Sequence, residues 1–281
     1  KVIEPLTNPT AHGGRAEDAF DVIIPSMPGY GFSEKPAGTG WDPDRIARAW
    51  IELMKRLGYT RFVAQGGDWG ALITDLMGVH APPELLGIHT NMPGAVPVEI
   101  DKAAQAGAPT PSGLSAEEIH SYERLKFFYT KGLAYALEMG NRPQTLYGVA
   151  DSPVGLAAWI LDHDQRSYQM MARVFDGQPE GLTRDDILDN ITFYWLTNTG
   201  VSSSRLYWEN KLSFVAPKNV GIPVGVSVYP DEIYTVSRRW AEQAYPKLIH
   251  YNKLDKGGHF AAWEQPKVLV EELRTGFKSL R

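Results

Sequence analysis

Arg61-Phe62-Val63-Ala64-Gln65-Gly66-Gly67-Asp68-Trp69-Gly70-Ala71-Leu72-Ile73-Thr74-Asp75-Leu76-Met77 is the stretch that decides the fold. Its first five residues form a β-branched and aromatic run that ends in glycines. Helical spacing then starts at Ala71 and continues until Pro82-Pro83 stops it. Strand, tight turn and helix around small-x-nucleophile-x-small is the layout of a nucleophile elbow, but here the nucleophile position holds the carboxylate of Asp68. A serine attacking a saturated carbon would leave an ether that an activated water cannot cleave. An aspartate leaves an ester that it can. The glycines at 66, 67 and 70 are expected to permit strained backbone and close helix-on-strand packing, and the new helix aims its first N–H groups at negative charge beside Asp68. An ordinary helix-capping aspartate is the competing explanation, and the rest of the chain has to decide.

Working outward, Asp21-Val22-Ile23-Ile24-Pro25 reads as a buried strand running into the loop Ser26-Met27-Pro28-Gly29-Tyr30-Gly31-Phe32-Ser33. Asp42-Pro43 starts a helix with Ile46, Trp50, Leu53, Met54 and Leu57 on its apolar face. Leu86 to Asn91 is the next strand. Alternating strand and helix is the pattern of a parallel sheet covered on both faces. From about Val96 to Asn210 the pattern is helical only. Ser115-Ala116-Glu117-Glu118 is a capping box opening a helix through Met139, Pro153 to Phe175 contains another, and Thr183 begins a third. Val224 to Tyr229 and Leu248 to Tyr251 then read as strands, with helices over Arg238 to Tyr245 and Lys267 to Leu280. The expected class is α/β, with residues 1–95 and 211–281 as the sheet core and 96–210 as an inserted helical lid.

Composition narrows the function. The 281 residues are 43% hydrophobic, enough for a full core, and the net charge of −5 comes from mixed signs without a Lys/Arg run that could form a nucleic-acid footprint. The absence of cysteine excludes disulfides, thiolate catalysis and cysteine-ligated metals. No apolar stretch approaches a membrane span, and Lys1-Val2-Ile3-Glu4-Pro5 is not a signal peptide, so a soluble, cytoplasmic chain is expected; a homodimer is left open.

Among seven histidines, His259 stands in Lys256-Gly257-Gly258-His259-Phe260, a glycine-rich loop leaving the last strand. His80, His89, His120, His163 and His250 lie in or beside predicted elements and read as structural. His12-Gly13-Gly14 resembles an esterase oxyanion motif but precedes a strand instead of following one. Tyr229-Pro230-Asp231-Glu232 supplies two carboxylates at a strand end, with Asp255 a third candidate to orient the histidine. The order nucleophile, acid, histidine is that of α/β-hydrolases.

Pro28-Gly29-Tyr30-Gly31-Phe32-Ser33, Gly66-Gly67-Asp68-Trp69-Gly70, Asp151-Ser152-Pro153-Val154-Gly155-Leu156-Ala157-Ala158-Trp159 and Gly257-Gly258-His259-Phe260-Ala261-Ala262-Trp263-Glu264-Gln265-Pro266, in that order, resemble the microsomal-type epoxide hydrolases and their bacterial relatives across nearly the whole chain. The resemblance implies that the triad acid is the residue after Tyr-Pro-x, which is Glu232. It also implies two lid tyrosines over the nucleophile: Tyr135, before Arg142-Pro143, and Tyr207, in Arg205-Leu206-Tyr207-Trp208-Glu209-Asn210.

The tyrosines suit the chemistry. Opening an epoxide leaves an alkoxide, and a phenol of pKa about 10 can donate to it while neutral at pH 7. The expected reaction is attack by Asp68 on an epoxide carbon, followed by hydrolysis of the ester by water that His259, oriented by Glu232, activates. It needs no metal or organic cofactor. Trp69 supplies one backbone N–H for the oxyanion. A second donor should come from a His-Gly-x-Pro loop that this sequence lacks. In the family that loop shortly precedes the segment resembling Lys1 to Leu6, so the expectation is that the first strands of the sheet have been omitted.

Two other readings compete. A haloalkane dehalogenase also follows its aspartate with tryptophan, whose indole N–H holds the halide; a non-catalytic binding protein on the same fold is the second. Trp69, Trp159 and Phe260 are candidate pocket residues, and the aromatic-rich lid suits a bulky apolar or aryl epoxide.

Overall fold

The computed structural model describes residues 1–178 and 181–281. Its centre is a parallel sheet in the order β1-β2-β3-β4, formed by Phe62–Gly66, Leu85–Thr90, Val224–Val228 and Leu248–Lys253. Helices α1 to α3 are Ile3–Thr7, Pro43–Arg56 and Trp69–His80. Between β2 and β3 lie α4 to α11: Val98–Gln105, Ala116–Phe127, Ala134–Asn141, Tyr147–Asp151, Pro153–Leu161, Gln165–Phe175, Arg184–Thr197 and Ser204–Glu209. Arg238–Ala244 (α12) links β3 to β4, and Ala261–Glu264 (α13) and Pro266–Gly276 (α14) follow.

Side-chain alternation explains the layering. On β1, Phe62 and Ala64 pack into the main core with α2 and α3, whereas Val63 faces the opposite side, where Leu269, Val270, Leu273 and Phe277 gather with Leu6 of α1. Every residue of β3 is buried, as a strand covered on both faces requires. Beneath α14, Glu272 joins the sheet strands by accepting from Ser227 and Asn252 and pairing with His250 at 2.8 Å, while His89 bonds Ser227 at 2.9 Å. Burial opposes charge on Glu272, but these bonds hold its pKa at about 2. His89, buried beside His250, is held at about 3. Both histidines are structural, as expected.

The predicted caps are present. Asp42 accepts from Arg45, and Ser115 with Glu118 and Thr183 with Asp186 form capping boxes. Three expectations need correcting. Asp21 to Pro25 is not a strand: it has no ladder among the described residues, and Ile23 and Ile24 are exposed, because a β-branched run needs a hydrogen-bonding partner and β1 pairs only with β2. The helix from Ser115 to Met139 is interrupted by a π-turn over Phe128–Gly132, where Thr130 bonds back to the Lys126 carbonyl. Pro153 to Phe175 holds two helices, because the Asp164 carboxylate accepts from the amides of Arg166 and Ser167 and so begins a new one. Among the described residues no helix is long and apolar enough to cross a membrane.

Candidate active site

All four strands deliver a residue to one place from their C-terminal ends, where an open parallel sheet binds ligands. Asp68 follows β1, Asn91 follows β2, Glu232 follows β3 and His259 follows β4. His259 Nε2 lies 3.0 Å from Asp68 Oδ2, and its Nδ1 lies 2.6 Å from Glu232 Oε1. The side chains of His259 and Glu232 are essentially sealed from solvent, while Asp68 is about one third exposed toward the cavity.

The turn forces Asp68 into place. Its own backbone has φ 49° and ψ −130°, a left-handed conformation that costs on the order of 1–3 kcal/mol, and the surrounding packing holds it there. None of the three elbow glycines has positive φ, so the strain sits on Asp68 itself. A Cβ on Gly66 would lie 2.0 Å from the Gly70 carbonyl oxygen, and one on Gly67 would lie 2.8 Å from Asn91. Gly70, by contrast, faces open space, which corrects the expectation that it serves close packing. The amide of Trp69 donates to Asp68 Oδ1.

The loops that carry Glu232 and His259 are braced from outside. Glu232 Oε1 also accepts from the Ile233 amide at 2.8 Å, its other oxygen faces Asn91 Nδ2 at 3.4 Å, and Arg124 of α5 donates to the Pro230 and Glu232 carbonyls. Asp231 instead pairs with Arg166 on the exposed side, and Asp255 is exposed, so neither takes the histidine. Glu264 accepts from the amides of Gly258 and Phe260, the residues on either side of His259, at 2.9 and 2.8 Å. Gly257, at φ 101°, has the Tyr229 ring where a Cβ would stand, so this loop needs glycine. His12 is on the surface beside Glu4 and is not at the site.

Electrostatics follow from this geometry. Burial alone would push the His259 pKa down, but the carboxylates of Glu232 and Asp68 on its two nitrogens hold it well above an ordinary histidine. Burial would likewise raise Asp68, yet the His259 hydrogen bond and charge, with His163 and the Trp69 amide, leave its carboxyl below the usual range. The resting pair is therefore carboxylate and imidazolium.

Over Asp68 lies a cavity of about 820 Å³ whose walls include Tyr135, Tyr207, Trp69, Trp159 and Phe260, all predicted there from the sequence. The Tyr135 and Tyr207 rings meet edge to face at 6.0 Å, and Tyr207 meets Trp69 at 4.8 Å. Burial, followed by the Asp68 charge, keeps the Tyr207 phenol well above its ordinary pKa, partly offset by hydrogen bonds from Trp69 and Tyr135. Burial, then Tyr207 and Asp68, do the same to Tyr135, so both phenols are proton-bearing donors at neutral pH. The loop at Pro28 to Ser33 gains a reason here. Tyr30 donates to the Ser203 carbonyl at 2.9 Å and Ser202 donates to the Gly29 carbonyl at 2.6 Å, tying the loop to the entry of the helix that carries Tyr207.

Sequence reasoning passed over four residues. Asn91, Arg124 and Glu264 support the triad, and His163, read as structural, stacks on His259 at 4.6 Å. One ligand atom each from Asp68, His163 and His259 lie within 4.8 Å of one another, but the face-to-face stack of the two imidazoles keeps their in-plane lone pairs from converging on one ion. Asn91 was legible only as a strand's last residue, and His163 only as the member of an Asp-His-Asp link between helices.

The parallel sheet and the strand–turn–helix at Asp68 are those of the α/β-hydrolase fold, and a sequence model of that fold matches residues 14–119. A Stigmatella aurantiaca protein named provisionally as an epoxide hydrolase is 50% identical over all of this chain and 61% of its own length. Epoxide hydrolase 1 of Oryctolagus cuniculus is 37% identical over 97% of the chain and 63% of its own length. The crystal structure of juvenile hormone epoxide hydrolase from the silkworm Bombyx mori superposes with a TM-score of 0.80 at 29% identity, covering 100% of this chain and 68% of that one. The chain spans about three fifths of the length of the curated relatives it matches.

Proposed function

We propose that the protein hydrolyses an apolar or aryl epoxide to a vicinal diol through an ester on Asp68, with residues 96–210 acting as the lid. The observation that carries this reading is a carboxylate at the elbow, bonded to a Glu232-backed His259, beneath two protonated phenols in one cavity. In the first half-reaction an Asp68 carboxylate oxygen bonds to an epoxide carbon as the ring C–O bond breaks, and the ring oxygen takes a proton from Tyr135 or Tyr207. The hydroxyalkyl ester that results no longer carries the Asp68 charge.

Loss of that charge prepares the second half-reaction. An opposite charge at this range supports a histidine's proton by roughly 1–3 pKa units, so esterification lowers His259 toward its ordinary value. It returns a proton to the phenolate and becomes a base. Water gives its proton to His259 Nε2 and attacks Asp68 Cγ, the developing oxyanion on Oδ1 rests on the Trp69 amide, and the diol leaves with the proton from His259. Asp68, left as the acid with one oxygen from the water, gives its proton to His259 and so regains its carboxylate.

The two tyrosines over Asp68 favour this reading over halide displacement, because a departing halide needs no proton. Asp68→Ala should abolish diol formation, and His259→Gln should leave an ester visible as one added substrate mass. Full activity in Asp68→Ala would refute the proposal, and halide release exceeding diol formation on matched substrates would support the dehalogenase instead.

A further inference from the structure

The reaction just described uses two phenols, but a third reaches the same cavity. Asp186, Asn190 and Tyr194 follow one another at four-residue spacing along α10, so they share one face of that helix, and all three line the cavity over Asp68. Asp186 is already engaged: it pairs with Lys1 at 2.9 Å and forms the capping box with Thr183. The Asn190 amide and the Tyr194 hydroxyl have no hydrogen-bond partner among the described residues, and neither is shut off from the cavity. Facing this polar strip, Leu156, Trp159 and Ile160 of α8 and Met171 of α9 line the cavity with apolar surface. Tyr194 is the member of the strip nearest the chemistry. Its ring packs in the cluster that holds Tyr135 and Tyr207. Burial, then the Asp68 charge, raises its pKa above that of an ordinary phenol, so it keeps its proton. The ring oxygen of an epoxide has two lone pairs, and Tyr135 and Tyr207 address both. The third donor is left for another substrate atom close by.

We propose that Tyr194 is a specificity-determining residue whose hydroxyl donates to an acceptor oxygen carried on the carbon next to the epoxide ring. The enzyme thereby selects oxygenated epoxides, such as alkyl glycidyl ethers, over hydrocarbon epoxides of the same shape. The inference rests on the proposed epoxide-opening reaction and names its substrate class more closely: the apolar or aryl body lies against α8 and α9, and the oxygen beside the ring turns toward α10. The energetics follow from what a substrate displaces. Filling the cavity removes water from the Tyr194 hydroxyl. An ether oxygen restores the lost bond, whereas a methylene in its place leaves a buried donor unpaired, and a site built this way rejects the analogue that lacks the partner. Asn190, one turn away on the same face, continues the polar strip toward Asp186.

The test compares benzyl glycidyl ether with (3-phenylpropyl)oxirane, which carries a methylene where the first has its ether oxygen, in the native full chain and in Tyr194→Phe. The two epoxides differ in intrinsic reactivity, so the quantity read is the change in the ratio of their kcat/KM values between the two proteins, in which that difference cancels. Tyr194→Phe should lower kcat/KM for the ether, raise it for the hydrocarbon, and reduce the ratio by roughly 5–150-fold, the span expected when a buried polar group loses its partner. The hydroxyl has no partner within the protein, so the substitution breaks no internal hydrogen bond, and thermal unfolding checks that the fold is kept. A merely structural tyrosine would lower both values together. Parallel loss on the two epoxides in a folded variant, or an unchanged ratio, would overturn the role of Tyr194 and leave the epoxide-opening reaction standing. Diol from neither epoxide in the native chain would overturn that reaction, and the role of Tyr194 with it.

Discussion

Replacing Glu232 by glutamine should slow one half-reaction and spare the other. The substitution keeps the side chain's shape but removes the charge 2.6 Å from His259 Nδ1, in a pocket where both side chains are almost fully buried. A carboxylate at such range supports the imidazolium by roughly 1–3 pKa units, and each unit is about 1.4 kcal/mol. Hydrolysis of the ester therefore loses about 1.4–4 kcal/mol of support for the histidine cation. Loss of orientation adds to this, so a slowing on the order of 10²–10⁴-fold is expected, the upper end being what loss of the orienting charge costs a serine protease triad. Alkylation uses Asp68 and the phenols and should change by less than about tenfold, within one 1.4 kcal/mol step. The assay is rapid quench with an aryl epoxide followed by intact mass, which counts ester directly. The variant should accumulate ester in a burst equal to the enzyme present and then turn over slowly. Equal slowing of both steps, or an ester no longer-lived than in the native enzyme, would refute the charge argument. The variant should also lose stability in a defined range. A histidine pKa raised by folding stabilises fully below its unfolded value of about 6.5, and that contribution disappears as pH rises through the folded value, so the native and Glu232→Gln proteins should differ most in acid-to-neutral buffer and converge at alkaline pH.

Tyr135→Phe with Tyr207→Phe should reduce alkylation by about 10²–10⁴-fold, the usual contribution of a positioned acid, while hydrolysis of ester already formed is little changed; single-turnover kinetics separate the two. A single turnover in ¹⁸O-water should give unlabelled diol and label in the Asp68 peptide, since water adds to Cγ, and mass spectrometry of both reads the outcome. Gly66→Ala should destabilise by about 1–3 kcal/mol or more, because its Cβ would meet backbone at 2.0 Å with no rotamer to relieve it, and thermal unfolding measures the loss.

The parts of this molecule that were legible in the sequence are those set by short-range chemistry. The elbow announced itself because glycine at 66 is a local steric demand set by the Gly70 backbone, and the caps at Asp42, Ser115 and Thr183 because capping involves residues three apart. His259 was selected from its glycine loop. What was not legible depends on contacts across the fold. Asn91 matters through its approach to Glu232, 141 positions away, and nothing local to β2 says so. His163 read as structural, because its stacking on His259 arises only from the packing of the helices between β2 and β3 over the sheet. The choice between Asp231 and Glu232 needed either the family pattern or Arg166, which draws Asp231 outward. The misread strand at Asp21 to Pro25 is the reverse case: its composition favours a strand, but no partner is paired with it.

The distribution of these residues along the chain has a consequence for failure. On the proposed mechanism, the phenols assigned to ring opening sit on the helices between β2 and β3, whereas Asp68, Glu232, His259 and the Trp69 amide are all fixed to the sheet. If those helices lift away, an empty enzyme loses the acid it needs to capture an epoxide. An enzyme already carrying an ester keeps everything required to release it. On the proposed mechanism an open molecule would thus be idle but not poisoned, a useful asymmetry for a catalyst of alkylating substrates.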